Sequence, residues 1–289
     1  MPFLVVANPR SGTDDEDLLD RALHELRDVA VLELGDGVDL GAAVADAVGE
    51  GRTIVAYGGD GTVHALAQVL AGTDGVLGVL PGGTLNHFAR DLGLRDADAA
   101  LETLRAGVST RVDVGRAGTR VFVNSMSLGL YPELVGARDR NTGPLGKWAA
   151  LAMSAVGVIR RFDPIEGTVF ADGDARTVPP SVLLFVGNNR FSTAPGSIGV
   201  RERLNEGVLD VRIVLARTGV RARSRLAWGL ARARPWPGRI VRTIATDVRV
   251  DLKVGPHPMA LDGELAGELA SVGVKIETAA LQVLVPQPR

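Results

Sequence analysis

The stretch IVAYGGDGTVHALAQVL, Ile54 to Leu70, sets glycines, a carboxylate and a threonine between two apolar runs of different period. Residues Thr53 to Tyr57 are β-branched, aromatic or small and suit a buried strand. After the turn, Val63, Leu66, Ala67 and Leu70 recur at helical spacing. Gly58-Gly59-Asp60-Gly61-Thr62 therefore carries the chain from a strand's carboxyl end to a helix's amino end. Glycines there permit φ > 0 and the close approach of a ligand, and the first N–H groups of the helix favour an anion. A tight turn with an N-cap is the plain alternative; three glycines around one Asp favour a phosphate site.

The surrounding elements must place that turn. Strand-like Phe3 to Ala7 precedes a helix-compatible stretch near Asp15 to Asp28, and Val29 to Leu34 precedes one near Leu40 to Val48. Val76 to Leu80 is followed by a helix near Leu85 to Leu92. Repeated β-α units imply a parallel sheet with right-handed crossovers, and ligands of such sheets sit outside the carboxyl ends of the strands. The loops Asn8-Pro9-Arg10-Ser11-Gly12, Gly58 to Thr62 and Pro81-Gly82-Gly83-Thr84-Leu85-Asn86 should share that edge and line one cleft.

From about Val112 the texture changes to short strand-like runs separated by turn residues, which reads as an antiparallel β domain. The expected fold is an α/β N-terminal domain with a parallel sheet, residues 1–112, followed by a β-rich C-terminal domain, residues 113–277. Two helical interruptions are expected in the second part. One is apolar, Leu145 to Ile159, and suits a core or a lipid pocket; the other is the basic segment described next.

Composition narrows the classes. With 289 residues, 46% apolar, the chain can bury a sizeable core and is not of disordered composition. It has no cysteine, so no disulfide framework or thiolate chemistry, which fits a reducing compartment. A net charge of −2 gives no reason to expect nucleic acid. The start shows no basic n-region and no apolar run reaches bilayer length, so a cytoplasmic chain is expected. Between Asp210 and Asp247 there is no acid, yet Arg217, Arg221, Arg223, Arg225, Arg232, Arg234, Arg239 and Arg242 fall there with Trp228 and Trp236. Such a segment suits peripheral contact with an anionic membrane surface, and equally a solvated basic face. The histidines at 24, 64, 87 and 257 show no metal-ligand spacing. Neither a G-x-x-x-x-G-K-[ST] loop nor a G-x-G-x-x-G after the first strand is present.

Taken in order, NPRSG at Asn8 to Gly12, GGDGT at Gly58 to Thr62, LPGGTLNHFAR at Leu80 to Arg90 and LDGE at Leu261 to Glu264 resemble the motifs of the diacylglycerol kinase catalytic-domain family. That family includes bacterial soluble lipid kinases, is similar to sphingosine and ceramide kinases and is distantly related to NAD kinases. The resemblance spans nearly the whole chain. It implies an α/β domain, a β-sandwich domain, ATP in the cleft, and a tail, residues 278–289, that returns to the first domain. By position, Asn8, Gly58, Gly59, Asp60, Gly61, Thr62 and Thr84 would hold the nucleotide, with Asn86 near the transferred phosphate. Asp262 matches the general base. Glu264 lies two residues on, and alternation along an extended segment would put both side chains on one face. Paired carboxylates facing a triphosphate make chemical sense, one accepting the hydroxyl proton while another, or Asp60, helps to hold Mg²⁺.

The sequence departs from the family's pattern at Tyr131, where an acidic residue is usual. A structural Mg²⁺ known in some members would here fall to Glu206 and the carbonyls of Arg203 and Val208. The resemblance therefore implies an ATP- and Mg²⁺-dependent kinase acting on a lipid hydroxyl, diacylglycerol first, with a homodimer left open. An NAD kinase is the competitor of the same fold, disfavoured because its Asn-Glu pair and TGSTAY-like segment are not found. A catalytically silent nucleotide- or lipid-binding module is the competitor of a different class.

Overall fold

The computed structural model describes residues 1–8, 16–35, 37–140, 162–193, 199–216 and 239–287. The loop after Asn8, the apolar stretch Leu145 to Ile159 and the arginines from Arg217 to Arg234 lie outside the described residues. The chain divides into two compact units: Met1–Asn124 with Asn188–Gly207 and Ile276–Arg289, and Ser125–Gly187 with Val208–Lys275. The first unit thus takes in 113–124 and 188–207, which the sequence reading placed in the second domain.

In the first unit, strands β1 (Phe3–Ala7), β2 (Val29–Glu33), β3 (Thr53–Gly58) and β4 (Val76–Pro81) pair in parallel in the order β4-β3-β1-β2. Helices α1 (Glu16–Glu25), α2 (Leu40–Gly49), α3 (Asp60–Leu70), α4 (His87–Asp91) and α5 (Ala97–Ala106) connect and follow them. Alternation along the strands feeds two cores. Leu4, Val6, Ile54, Ala56, Leu77 and Val79 pack with Val44, Leu66, Leu70 and Phe88. Phe3, Val5, Val55, Tyr57 and Leu80 pack with Leu18, Ala22, Leu101 and Leu104. Burial on both faces is what a parallel sheet flanked by helices requires, and it explains why these strands read as nearly continuous apolar runs. Strand β5 (Ser109–Ala117) pairs with β6 (Arg120–Phe122) and with the last strand of the chain, whose Gln282 and Val283 pair in parallel with Val76 and Leu77. The chain's end therefore does extend the first sheet.

The second unit is antiparallel. Strand β7 (Ser125–Gly129) leads into α6 (Leu130–Arg140); then come β8 (Ile165–Ala171), β9 (Asp174–Asn188), β10 (Leu209–Leu215), β11 (Ile240–Ala245), β12 (Asp247–Leu252), β13 (His257–Leu261), β14 (Glu264–Leu269) and the start of β15 (Ser271–Leu284). The order runs β14-β13-β7-β9-β8-β12-β15, with β10 on β9 and β11 on β10. Two of its hairpins turn on Asp-Gly pairs: Asp172 (φ 50) with Gly173 (φ 91), and Asp262 (φ 50) with Gly263 (φ 90). Positive φ at both central residues is the two-residue hairpin turn that follows the twist of the strands.

Candidate active site

Parallel pairing brings the carboxyl ends of β1, β3 and β4 to one edge: Ala7 lies beside Tyr57, and Gly58 beside Pro81. Asn8 follows directly, its N–H donating to the Tyr57 carbonyl at 3.3 Å. The Gly82 N–H donates to the Gly58 carbonyl at 2.8 Å, joining the two glycine loops. Gly59 is the N-cap of α3, with φ −89 and no side-chain cap. Its backbone is thus not in the left-handed region; the positive φ of the turn falls at Gly58 (φ 157). What demands glycine is proximity: a Cβ on Gly83 would stand 2.5 Å from Gly59 Cα and 2.9 Å from Asn86 Oδ1.

Asp60 opens α3, but its carboxylate faces the neighbouring loop. Oδ2 accepts the N–H of His87 and Oδ1 that of Phe88, both at 3.1 Å. Those are the first N–H groups of α4, which have no acceptor inside their own helix, and a carboxylate is favoured there by the helix dipole as well. Asp60 thus acts here by fixing the second loop. Asn86, in the left-handed conformation (φ 47), folds back on Gly83, with Oδ1 accepting the Gly83 N–H at 3.0 Å and Nδ2 donating to its carbonyl at 2.6 Å. Thr84 is exposed beside it. Thr62, in the first turn of α3, is 1% exposed and its Oγ1 has no hydrogen-bond partner. A buried hydroxyl without a partner costs free energy that a phosphate oxygen would relieve. The uncapped start of α3, the tight Gly59–Gly83 approach and this hydroxyl fit the phosphates of a nucleotide.

In the second unit, Asp262 is held in its hairpin by Ser125. The Ser125 N–H donates to Asp262 Oδ1 at 2.9 Å, and the Asp262 N–H donates to the Ser125 carbonyl at 2.9 Å. Because Asp262 and Gly263 both turn through positive φ, no extended run links Asp262 to the exposed Glu264, and the expected alternation of the two carboxylates does not hold. The tyrosine at the unusual position is close by: its hydroxyl stands 3.4 Å from where a Cβ on Gly263 would be.

Glu206, expected at a structural Mg²⁺ site, has polar partners within the chain. Glu206 Oε2 accepts the Arg190 N–H at 3.1 Å, Oε1 lies 3.4 Å from the Arg190 guanidinium, and the Glu206 N–H donates to Asn189 Oδ1 at 2.9 Å. The half-exposed Arg190 side chain thus meets the carboxylate expected to join the carbonyls of Arg203 and Val208 around a cation. Among the described residues, no group of three or more His, Asp or Glu could hold a metal ion. Sequence reasoning also missed Asp113, which is 2% exposed. Its Oδ2 accepts the Gly207 N–H at 2.7 Å and its Oδ1 the Ala279 N–H at 2.9 Å, so one buried carboxylate clamps the end of the 188–207 segment and the last strand to β5. The one signal was an Asp between Val112 and Val114, where a core strand has no other reason to carry charge.

Paired glycine loops on the carboxyl edge of a parallel sheet, in a chain that also carries an antiparallel unit, define a fold of the diacylglycerol kinase and NAD kinase type. The family described as Diacylglycerol kinase catalytic domain matches residues 2–117. The protein named Probable lipid kinase YegS-like of Chromohalobacter salexigens is 33% identical over 216 residues, 70% of this chain and 66% of that protein. Its namesake in Pseudomonas putida is 30% identical over 214 residues, 68% of this chain and 70% of that one. The chain thus spans 66% of the length of the first of these relatives. A crystal structure of a diacylglycerol kinase from Bacillus anthracis superposes with a TM-score of 0.67 at 19% identity, covering 99% of this chain and 97% of that one. An NAD kinase from Archaeoglobus fulgidus in complex with ATP gives 0.52 at 13% identity, over 99% and 94%. The chain belongs to the diacylglycerol kinase catalytic-domain family.

Proposed function

We propose that the chain is an ATP-dependent lipid kinase that moves the γ-phosphoryl group of ATP to a lipid hydroxyl, with diacylglycerol as the first acceptor. The observation that carries this reading is the glycine-loop pair closed by Asp60, together with the buried, unpartnered Thr62 hydroxyl in the first turn of α3. In support, the relatives are named as lipid kinases and the NAD kinase of similar fold is described with ATP. The N–H groups at the start of α3, that of Gly61 among them, and the Thr62 hydroxyl bind phosphate oxygens, with Asn8 and Thr84 at the same loops. ATP supplies the transferable group, and Mg²⁺ accompanies the triphosphate, needing few protein ligands of its own.

In the transfer, the lipid hydroxyl oxygen forms a bond to the γ-phosphorus while the bond from that phosphorus to the bridging oxygen breaks, leaving ADP. Asp262 accepts the hydroxyl proton. Ser125 orients that carboxylate by its N–H. Peripheral contact with anionic membranes through the basic segment brings the enzyme to its acceptor. The test is incubation of the protein with γ-labelled ATP and a total lipid extract, with NAD as a parallel acceptor. Label in a lipid phosphate is the expected result. Label on NAD alone would assign the chain to the NAD kinase chemistry of its structural neighbour, and ATP binding with no transfer to either would mark a silent module.

A further inference from the structure

We propose that Arg201 is a positioning residue for the phosphate loops, acting through Asp91 and α4; the inference rests on the nucleotide reading of those loops. Arg201 and Asp91 are an ion pair with side chains 0% and 1% exposed. Arg201 Nε donates to Asp91 Oδ2 at 2.7 Å, and the Arg201 backbone N–H reaches Oδ1 at 3.4 Å. The rest of the guanidinium is fixed just as closely. Nη1 donates to the carbonyls of Val123 (2.5 Å) and Asn188 (3.2 Å), Nη2 donates to Asn124 Oδ1 at 2.6 Å, and the Phe191 ring centroid lies 5.3 Å from Cζ.

Asp91 is the last residue of α4, a helix of five residues. So short a helix does not hold its own conformation in water and depends on what grips its ends. Its first N–H groups, those of His87 and Phe88, are gripped by Asp60 of the glycine turn, and its last residue is gripped by Arg201. The neighbouring Arg90 donates to the Gly199 carbonyl at 2.8 Å, a second tie between the helix end and the same segment. Immediately before α4, Asn86 closes the Gly83 turn that lies against Gly59. A displacement at Asp91 would thus reach Asp60 and both glycine loops through the short helix that Asp60 and Arg201 hold at its two ends.

The chemistry of the pair supports a geometric role. A buried ion pair is a poor source of stability, since desolvation offsets the Coulomb attraction and an apolar pair of similar size does as well. What an apolar pair does not supply is direction: the planar guanidinium fork meets carboxylate and carbonyls in fixed orientations. The segment 188–207 therefore serves as a strut for the nucleotide site, with Arg201 as its point of contact.

The test compares the whole protein with the double variant Asp91→Leu/Arg201→Met, which leaves no lone buried charge, and with Arg201→Lys, which keeps the charge but loses the fork. The measurements are amide exchange without nucleotide, the ATP dissociation constant and the thermal midpoint. In the double variant the midpoint should stay near that of the wild type, while exchange at His87 and Phe88 accelerates and that at Val55 in β3 does not. ATP affinity should fall by about tenfold, within the range by which residues off a site alter its coupling. Arg201→Lys should show the same local acceleration, and it decides the matter if the double variant does not fold. Wild-type exchange at His87 and Phe88 with wild-type ATP affinity in a folded variant would overturn the proposal. If the wild-type protein binds no ATP, the nucleotide reading fails, while the exchange at His87 and Phe88 still decides whether Arg201 positions α4.

Discussion

Gly59 and Gly83, from two different strand-to-helix loops, approach so closely that a Cβ on Gly83 would lie 2.5 Å from the Gly59 Cα, whereas a Cβ on Gly59 would lie 3.4 Å from the Gly83 Cα. The contact is asymmetric, and so is the expected response to alanine. Gly83→Ala forces backbone against backbone, an overpacking that costs about 1–3 kcal/mol. It should weaken ATP binding by roughly tenfold or more, since about 1.4 kcal/mol corresponds to a factor of ten. Gly59→Ala makes an ordinary van der Waals contact and should bind ATP within about threefold of the wild type, while Gly59→Val, with a branched side chain in the same space, should not bind. Calorimetric titration of the three folded variants checks the order. Equal affinities for Gly83→Ala and the wild type would separate the loop contact from nucleotide binding.

The turn between β8 and β9 predicts a pH effect in the second unit. Asp172 accepts the N–H groups of Asp247 and Thr246 and the Thr246 hydroxyl, all on Oδ1. Those bonds, the Asp247 N–H first, hold its pKa below the ordinary carboxylate value. A depressed folded pKa means that the stabilisation is present above the unfolded value near 3.9 and is lost as pH falls through the lowered one. Denaturation in urea followed from about pH 5 to pH 2 should show this loss in the wild type. Asp172→Asn, which tolerates the same positive φ, should remove that part of the slope. An unchanged acid limb in the variant would show that the turn bonds do not depend on the charge.

The basic segment yields a prediction from sequence alone. Surface arginines near anionic lipid contribute about 1 kcal/mol each and are screened by salt. Changing Arg221, Arg225 and Arg232 to Glu together should release the protein from phosphatidylserine-rich vesicles, as read by co-sedimentation at low and high salt. Undiminished sedimentation would leave the segment a solvated face.

What could be read from the sequence follows the range of the interactions. The strands around Val5, Val55 and Val79 and the strand-to-helix turn at Gly58 to Thr62 were legible because strand and helix preference are written in adjacent residues. The partners of Asp60 were not: His87 and Phe88 lie far along the chain, and nothing in GGDGT says that the carboxylate faces a second loop. Asp262 shows a different failure. Asp-Gly between apolar runs is a hairpin signal, yet it was read as an extended segment because Glu264 two residues on invited alternation. The contact between Glu206 and Arg190 was not legible either, since the two meet across a loop whose folding leaves no local trace. Arg201 gave no signal at all, being one of many arginines whose burial depends on Asp91 and Asn124 arriving from elsewhere.

If this chain moves phosphoryl from ATP to a lipid hydroxyl with Asp262 as the base, Asp262→Asn removes the chemistry and leaves nucleotide binding. Asparagine keeps an oxygen to accept the Ser125 N–H, now 2.9 Å from Oδ1, and tolerates φ 50, so the hairpin is retained while the basic group is lost. The measurement is the rate of label transfer from γ-labelled ATP to diacylglycerol in mixed micelles, alongside the ATP dissociation constant. The wild type should transfer label, the variant should lose about 10² to 10⁴ fold in turnover, and ATP affinity should stay nearly unchanged because the glycine loops are intact. Turnover near the wild-type rate in the folded Asp262→Asn protein would contradict that role of Asp262.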